Sequence, residues 1–79
     1  MQLKFSKSVS MLYGPVLTAK VIHEEEDIDF KITPDIFCRD WYEVSCCYGL
    51  KNITLARYVS KIEDAIKICE DTLKEIRST

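Results

Sequence analysis

Hydrophobic residues in the last quarter of the chain recur at intervals of three and four, the spacing that places side chains on one face of a helix. Ser60 opens this stretch and Glu63 follows three residues later, as in a capping box, where both side chains accept hydrogen bonds from backbone N–H groups. We therefore predict one amphipathic helix over residues 60–78. Its apolar stripe consists of Ile62, Ala65, Ile66, Cys69, Leu73 and Ile76.

Upstream of the predicted helix the pattern changes to an alternation of apolar and polar residues, which is typical of strands with one buried face. The clearest alternation lies in residues 27–33, with Phe30 at the centre of the buried face. Residues 6–13 fit either another extended piece or one or two helical turns, and periodicity does not choose between them. The other predicted strands are residues 1–5, 16–24, 42–48 and 53–59.

The residues between the predicted strands are those of turns. Pro34 ends one strand because proline lacks a backbone N–H, and Gly49 opens a short turn over residues 49–52. Consecutive strands joined by short turns usually pair as neighbours. We expect an α+β fold for a single domain over residues 1–79. It is an antiparallel meander of four or five strands, with the C-terminal helix on one face.

Ile36 and Phe37 lie in the connection over residues 34–40, and we expect both to be tucked under it. In the last strand, alternation places Ala56 on the outer face, whereas Arg57 falls among the inward residues. A charged residue there indicates either a β-bulge or a stem that lies along the rim with its guanidinium in water.

Length and composition describe a small folded protein. At 79 residues, with 47% hydrophobic and 30% charged residues, the chain fits one domain with a thin core. Domains of this size are often reinforced by association, so a homodimer is an open alternative. No apolar run reaches the roughly 20 residues that span a bilayer, and the N-terminus lacks the apolar centre of a signal peptide. The cytoplasm is the expected compartment.

The reactive residues form no catalytic or metal-binding pattern. Cys38, Cys46, Cys47 and Cys69 contain no C-x-x-C pair, and His23 has no second histidine or nearby cysteine at ligand spacing. Cys46 and Cys47 are adjacent, so on a strand they point to opposite faces and do not readily form a disulfide. His23 is expected at an exposed strand end. We predict a protein with reduced cysteines and without catalytic activity, metal or cofactor.

Charge is distributed unevenly along the chain. The net charge is −2, yet residues 23–43 carry eight of the thirteen acids and two of the eleven bases. The most acidic run falls at the predicted hairpin tip between two strands, where water screens the like charges. Its acids are Glu24, Glu25, Glu26, Asp27 and Asp29. Such a cluster either keeps a sheet edge solvated or docks on a basic surface of another protein.

Residues 41–78 resemble the strand-turn-strand-helix of AP2-type and integrase arm-binding domains. In those domains an aromatic residue at the end of the last strand precedes a small N-cap residue, an acidic pair and an alanine. The matching residues are Tyr58, Ser60, Glu63, Asp64 and Ala65. The resemblance implies DNA binding through a basic, aromatic-bearing sheet face. The outward positions here are instead Glu43, Ser45, Cys47, Thr54 and Ala56, so direct phosphate contacts, which need clustered Lys and Arg, are not favoured.

The sequence therefore predicts a non-catalytic protein-binding module that engages a basic, nucleic-acid-handling protein through the acidic hairpin. In size, compactness and acidity the chain is similar to small phage-encoded inhibitors of host defence, including anti-CRISPR proteins, which implies an inhibitor. The predicted partner-binding residues are Glu24, Glu25, Glu26, Asp27 and Asp29, with Trp41 and Tyr58 as aromatic anchors of the type that dominates interfaces. Sheet-face DNA or RNA binding and a homo-oligomeric structural subunit are the alternatives.

Overall fold

The computed structural model describes residues 3–10, 14–35, 37–38 and 40–78. Within these ranges five strands precede one long helix. The strands are β1 (Ser6–Ser10), β2 (Gly14–His23), β3 (Glu26–Pro34), β4 (Tyr42–Tyr48) and β5 (Lys51–Val59), and the helix is α1 (Ile62–Ser78).

The five strands form one open sheet in the order β1-β2-β3-β4-β5, and all neighbouring strands are antiparallel. α1 packs on one face of this sheet, called here the inner face, and its main contacts lie on β3, β4 and β5. The opposite, outer face carries no helix among the described residues. The predicted α+β meander with a C-terminal helix is confirmed, and the described residues form five strands.

The hydrophobic core lies between α1 and the inner face. The central strand β3 contributes Ile28, Phe30 and Ile32, all fully buried. Phe30 has the small residues Ala19 and Cys46 as its register partners on β2 and β4, which leaves room for its ring. Each large apolar side chain removed from water contributes about 1.5–3 kcal/mol to stability. The other buried members of the core are Val44, Ala65, Cys69 and Leu73.

α1 begins two residues later than predicted. The Ala65 N–H donates to the Lys61 carbonyl at 3.2 Å, which places Lys61 at the N-cap. Ser60 is then the residue before the N-cap and Glu63 the second helical residue, so the spacing of a capping box is not met. The predicted cap is wrong. Packing of Ile62 against the core positions the first turn instead.

β5 carries two irregularities in its pairing with β4. The register pairs on either side of them are Ser45↔Thr54, Val44↔Ala56 and Tyr42↔Val59. β5 therefore contains one extra residue at each shift, as in a β-bulge. The first shift turns Ala56 towards the core, so its predicted outer-face position is wrong. The second lies beside Arg57, whose Nε is 3.8 Å from Glu43 Oε1, so a bulge accounts for this charge within the strand.

The N-terminal strand lies later in the chain than its alternation predicts. Described residues 3–5 form no strand, and β1 is Ser6–Ser10, so the extended interpretation holds for this part of residues 6–13. Residues 1–2 and 11–13 lie outside the described residues. Leu3 and Phe5 nevertheless pack against the core, which explains their apolar alternation without strand pairing.

The connection between β3 and β4 also differs from the prediction. Phe37 is 97% exposed rather than tucked under the connection, and Ile36 lies outside the described residues. The Asp35 carboxylate accepts hydrogen bonds from the N–H groups of Phe37 at 2.8 Å and Cys38 at 3.1 Å. This local turn satisfies the backbone without burying the ring. At the other end of the sheet His23 is half-buried, not exposed as predicted.

All four cysteines are free thiols. Cys46 is buried on the inner face, whereas its neighbour Cys47 is half-buried on the outer face, as predicted for adjacent strand residues. Burial raises the pKa of the Cys69 thiol from 9.0 to about 12, and the nearby Cys46 adds to this rise. Burial likewise raises the pKa of Cys46.

The raised pKa of Cys69 predicts a loss of stability at alkaline pH. Between about pH 9 and about pH 12 the unfolded chain releases this proton and the folded chain retains it, so the free energy of unfolding falls by up to roughly 1.4 kcal/mol per pH unit. Below pH 9 the contribution of the buried Cys69 thiol to the free energy of unfolding is fully present. Urea unfolding of the reduced protein at a series of pH values measures the slope.

Cys69→Ala is the matched variant for this prediction. It removes this thiol and keeps every other ionisable side chain. We expect a shallower decline of unfolding free energy with pH in this variant. Parallel curves for the two proteins would show that the Cys69 proton does not contribute.

Candidate functional site

The acidic hairpin comprises Glu24, Glu25, Glu26, Asp27 and Asp29, at the turn between β2 and β3. His23 and Glu26 form the closing register pair, so the turn itself is Glu24-Glu25. Both turn residues have positive φ, 51° for Glu24 and 68° for Glu25. Two-residue hairpins of this kind are type I′ turns, whose twist matches that of the strands. The sequence-based placement of the acidic run at a hairpin tip is confirmed.

Glutamate is an unfavourable residue at both turn positions. A left-handed backbone conformation brings Cβ too close to the following carbonyl oxygen and costs roughly 1–2 kcal/mol per residue. Asn-Gly and Asp-Gly are the preferred pairs in such turns because they avoid most of this cost. The tip therefore holds two carboxylates in a conformation that destabilises the fold locally.

The tip extends beyond the sheet on the β4 side. The last register pair between β3 and β4 is Ile28↔Tyr48, so the residues before Ile28 have no strand partner on that side. Beyond it, the Gly49 N–H donates to the Asp27 carbonyl at 3.3 Å. The fully exposed Leu50 follows in the β4–β5 turn. Ile22, the register partner of Asp27, is also 70% exposed. This end of the sheet thus presents an acidic surface with exposed apolar side chains at its margin.

The charges of the acidic hairpin are only weakly compensated. Lys20 Nζ lies 3.9 Å from Asp27 Oδ2, and both side chains are exposed, so the pair contributes little. His23 Nε2 lies 3.9 Å from Glu24 Oε1. Among the described residues these are the ion pairs at the tip, and neither includes Glu25 or Glu26. A negative potential therefore surrounds the tip.

Trp41 and Tyr58 form an edge-to-face pair, with ring centroids 5.1 Å apart and an interplanar angle of 76°. Trp41 is 41% exposed and Tyr58 62% exposed. Tyr58 has φ 61°, so the second irregularity of β5 holds it in a left-handed conformation. We call these two residues the aromatic pair.

The aromatic pair lies at the opposite end of the sheet from the acidic hairpin. β3 runs from Glu26 at the tip to Pro34, which pairs with Tyr42 beside Trp41. A nine-residue strand at about 3.3 Å per residue is about 26 Å long. The predicted partner-binding residues therefore occupy two separate surfaces.

Sequence reasoning did not identify Phe37 and Leu50 as exposed apolar residues. Phe37 follows Asp35 by two residues, the spacing of a side-chain-capped turn, and this signal argues for a surface loop. Leu50 follows Gly49, whose φ of 61° completes a two-residue turn, and turn residues are normally exposed. The spacing of Asp35 and Phe37 and the glycine before Leu50 are present in the sequence, but hydrophobicity alone argues for burial.

The outer face has a balanced charge. Among the described residues of β2 to β5, its bases are Lys20, Lys31 and Arg57 and its acids are Asp27, Asp29 and Glu43. Arg57 and Lys20 each lie within 4 Å of one of these acids. A phosphate-binding surface needs clustered, available cations. This face does not supply the basic surface that the AP2-type resemblance implies.

The described residues contain no group of three or more His, Cys, Asp or Glu side chains placed to hold a metal ion. Across the same residues, no helix combines the length and apolarity needed to cross a membrane.

The strained turn leads to a prediction about stability. Replacing Glu24-Glu25 by Asn-Gly should raise the free energy of unfolding by about 1–2 kcal/mol, because both positions then tolerate positive φ. Chemical denaturation measures the change. Glu24→Gln with Glu25→Gln is the control, because it removes the same charges and leaves the strain. If the two variants have equal stability, charge repulsion rather than backbone conformation destabilises the tip.

Comparison of the chain with protein-family models, with curated proteins and with solved structures gave no match. Its function is therefore inferred from the acidic hairpin, the aromatic pair and the outer face.

Proposed function

We propose that the protein is a non-catalytic protein-binding module, an inhibitor that docks its acidic hairpin on the basic surface of a nucleic-acid-handling protein. The acidic tip would occupy a positively charged groove that otherwise holds the phosphates of a nucleic acid. In this proposal the protein acts in the cytoplasm, as the phage-encoded inhibitors that it is similar to in size and acidity do.

The strained Glu24-Glu25 turn is the observation that carries the proposal. Residues in sparsely populated backbone conformations concentrate at functional sites, because a sequence under selection for stability alone would replace them. Residues that only keep an edge soluble need a polar side chain but not a glutamate, so Asn or Asp, which tolerate positive φ better, would serve at these positions. Two glutamates at positive φ favour a role for the carboxylates themselves.

The electrostatics of the tip also support a basic partner. Its acids are exposed and weakly paired, so they keep their charge available to another molecule. Complementary charge accelerates the association of two proteins and disfavours wrong partners. Apolar groups beside the charges stabilise the complex because they are buried in it. Leu50 is such a group beside the acidic hairpin.

The aromatic pair is a second contact in this proposal. Because it lies about 26 Å from the tip, one partner contacts both surfaces only if its interface runs the length of the sheet. The two surfaces can therefore be tested separately.

Capture from a nuclease-treated lysate tests the proposal. The tagged protein should recover a basic, nucleic-acid-handling protein in stoichiometric amount, identified by mass spectrometry. Changing Glu24, Glu25 and Glu26 together to Lys should weaken binding to that partner at least about hundredfold, because juxtaposed like charges cost several kcal/mol. Binding of the purified pair measures this, and its association rate should fall as salt is added.

The matched control places the same charge change elsewhere. Glu70, Asp71 and Glu75 on α1 changed together to Lys shift the net charge equally and should leave binding within about threefold of the unchanged protein. Equal losses in the two variants would contradict a localised site.

The capture experiment has two outcomes that contradict the proposal. Recovery that disappears on nuclease treatment would indicate nucleic-acid binding instead, and recovery of no partner would leave the acidic hairpin with a solvating role.

A further inference from the structure

α1 covers only part of the inner face. A helix with its side chains is about 10 Å wide, whereas five strands spaced about 4.8 Å apart span roughly 19 Å. The helix packs on β3, β4 and β5, and the inner face continues beyond it across β2 to β1. This arrangement leaves a step, where the side of α1 meets the part of the inner face that the helix does not cover, near the β1 edge.

A cleft of about 420 Å³ lies at this step, beside the first residue of α1. Its size falls within the range of small-molecule sites, which are concave and mostly apolar with a few polar groups. Lys7 and Tyr42 are the lining residues with polar side-chain atoms. The apolar lining residues are Pro15, Leu17, Ile32, Pro34 and Ile62.

Lys7 gives the cleft its chemical character. It pairs in register with Leu17, which in turn pairs with Ile32, so its side chain leaves the sheet on the same face as the apolar floor. Lys7 is not a member of the ion pairs formed by Lys20, His23 and Arg57 among the described residues. None of the described lining residues is acidic. The cleft thus combines an apolar floor with one cation whose charge no described residue neutralises.

We propose that this cleft binds a free small-molecule carboxylic acid with an apolar body. The body lies on Leu17, Pro34 and Ile62, and the carboxylate faces the Lys7 ammonium. The Tyr42 hydroxyl supplies a second donor. A neutral or cationic molecule of the same shape gains the apolar contacts but no ion pair. The selectivity for acids therefore comes from Lys7.

An inward-pointing lysine on an edge strand also discourages pairing with another sheet edge. That structural role requires the charge but no ligand. Only the ligand-binding role of Lys7 predicts saturable and charge-selective binding in the cleft.

Three probes of equal chain length test the proposal: hexanoate, 1-hexanol and hexylammonium. Methyl-group NMR spectra follow the titration at Leu17, Ile32 and Ile62. Hexanoate should give saturable shifts at these methyls, with a dissociation constant about fivefold lower than those of the other two probes, the upper range for an exposed ion pair. Raising the salt from about 0.05 to about 0.5 M should reduce this preference, because screening weakens the ion pair.

Lys7→Gln should bring the hexanoate affinity down to that of hexanol, whereas Lys31→Gln, which removes a lysine from the outer face, should leave it unchanged. The salt series on the unchanged protein keeps the test valid if Lys7→Gln fails to fold. Absence of saturable shifts at the cleft methyls overturns the proposal. So does hexanoate binding that equals hexanol binding at low salt, or that is unaltered in a folded Lys7→Gln variant.

Discussion

The fold depends on the burial of β3. Ile28, Phe30 and Ile32 are removed from water between two paired strands and the helix. Because side chains alternate along a strand, a slip of one residue would move all three to the outer face and place Asp29 and Lys31 under α1. Burying these unpaired charges would cost far more free energy than a different turn between the strands could add to stability. The register of β3 is therefore strongly specified, and the other strands take their positions from it.

Small residues let the helix approach this strand. Ala65 and Cys69 are fully buried in α1, and Phe30 lies between Ala19 and Cys46 in the sheet. One helix cannot cover five strands, so close packing on β3 to β5 leaves the β1 side of the inner face open. The core and the cleft beside Lys7 are thus consequences of the same geometry.

The register of β3 also separates the two surfaces of functional interest. The acidic hairpin lies at one end of this strand and the aromatic pair beside the other, with an open and charge-balanced outer face between them. Both surfaces contain residues at positive φ, namely Glu24, Glu25 and Tyr58. Local strain at the two ends is tolerated because the centre of the sheet is well buried. The molecule is thus a sheet that presents different chemistry at each end.

The period-two and period-3.6 patterns by themselves determined the type and approximate place of β2 to β5 and of α1, because burial of one face is a local property of each strand or helix. The acidic tip at residues 24–27 also followed from the sequence, since clustered like charges require water. Only the tertiary structure decided where Ala56 and Arg57 point, because bulges depend on pairing with β4, and only it separated Trp41 from the acidic hairpin. The cleft joins residues from β1, β2, β3, β4 and α1 that lie far apart in the chain. No local pattern records such a site, because its existence depends on how much of the sheet the helix covers.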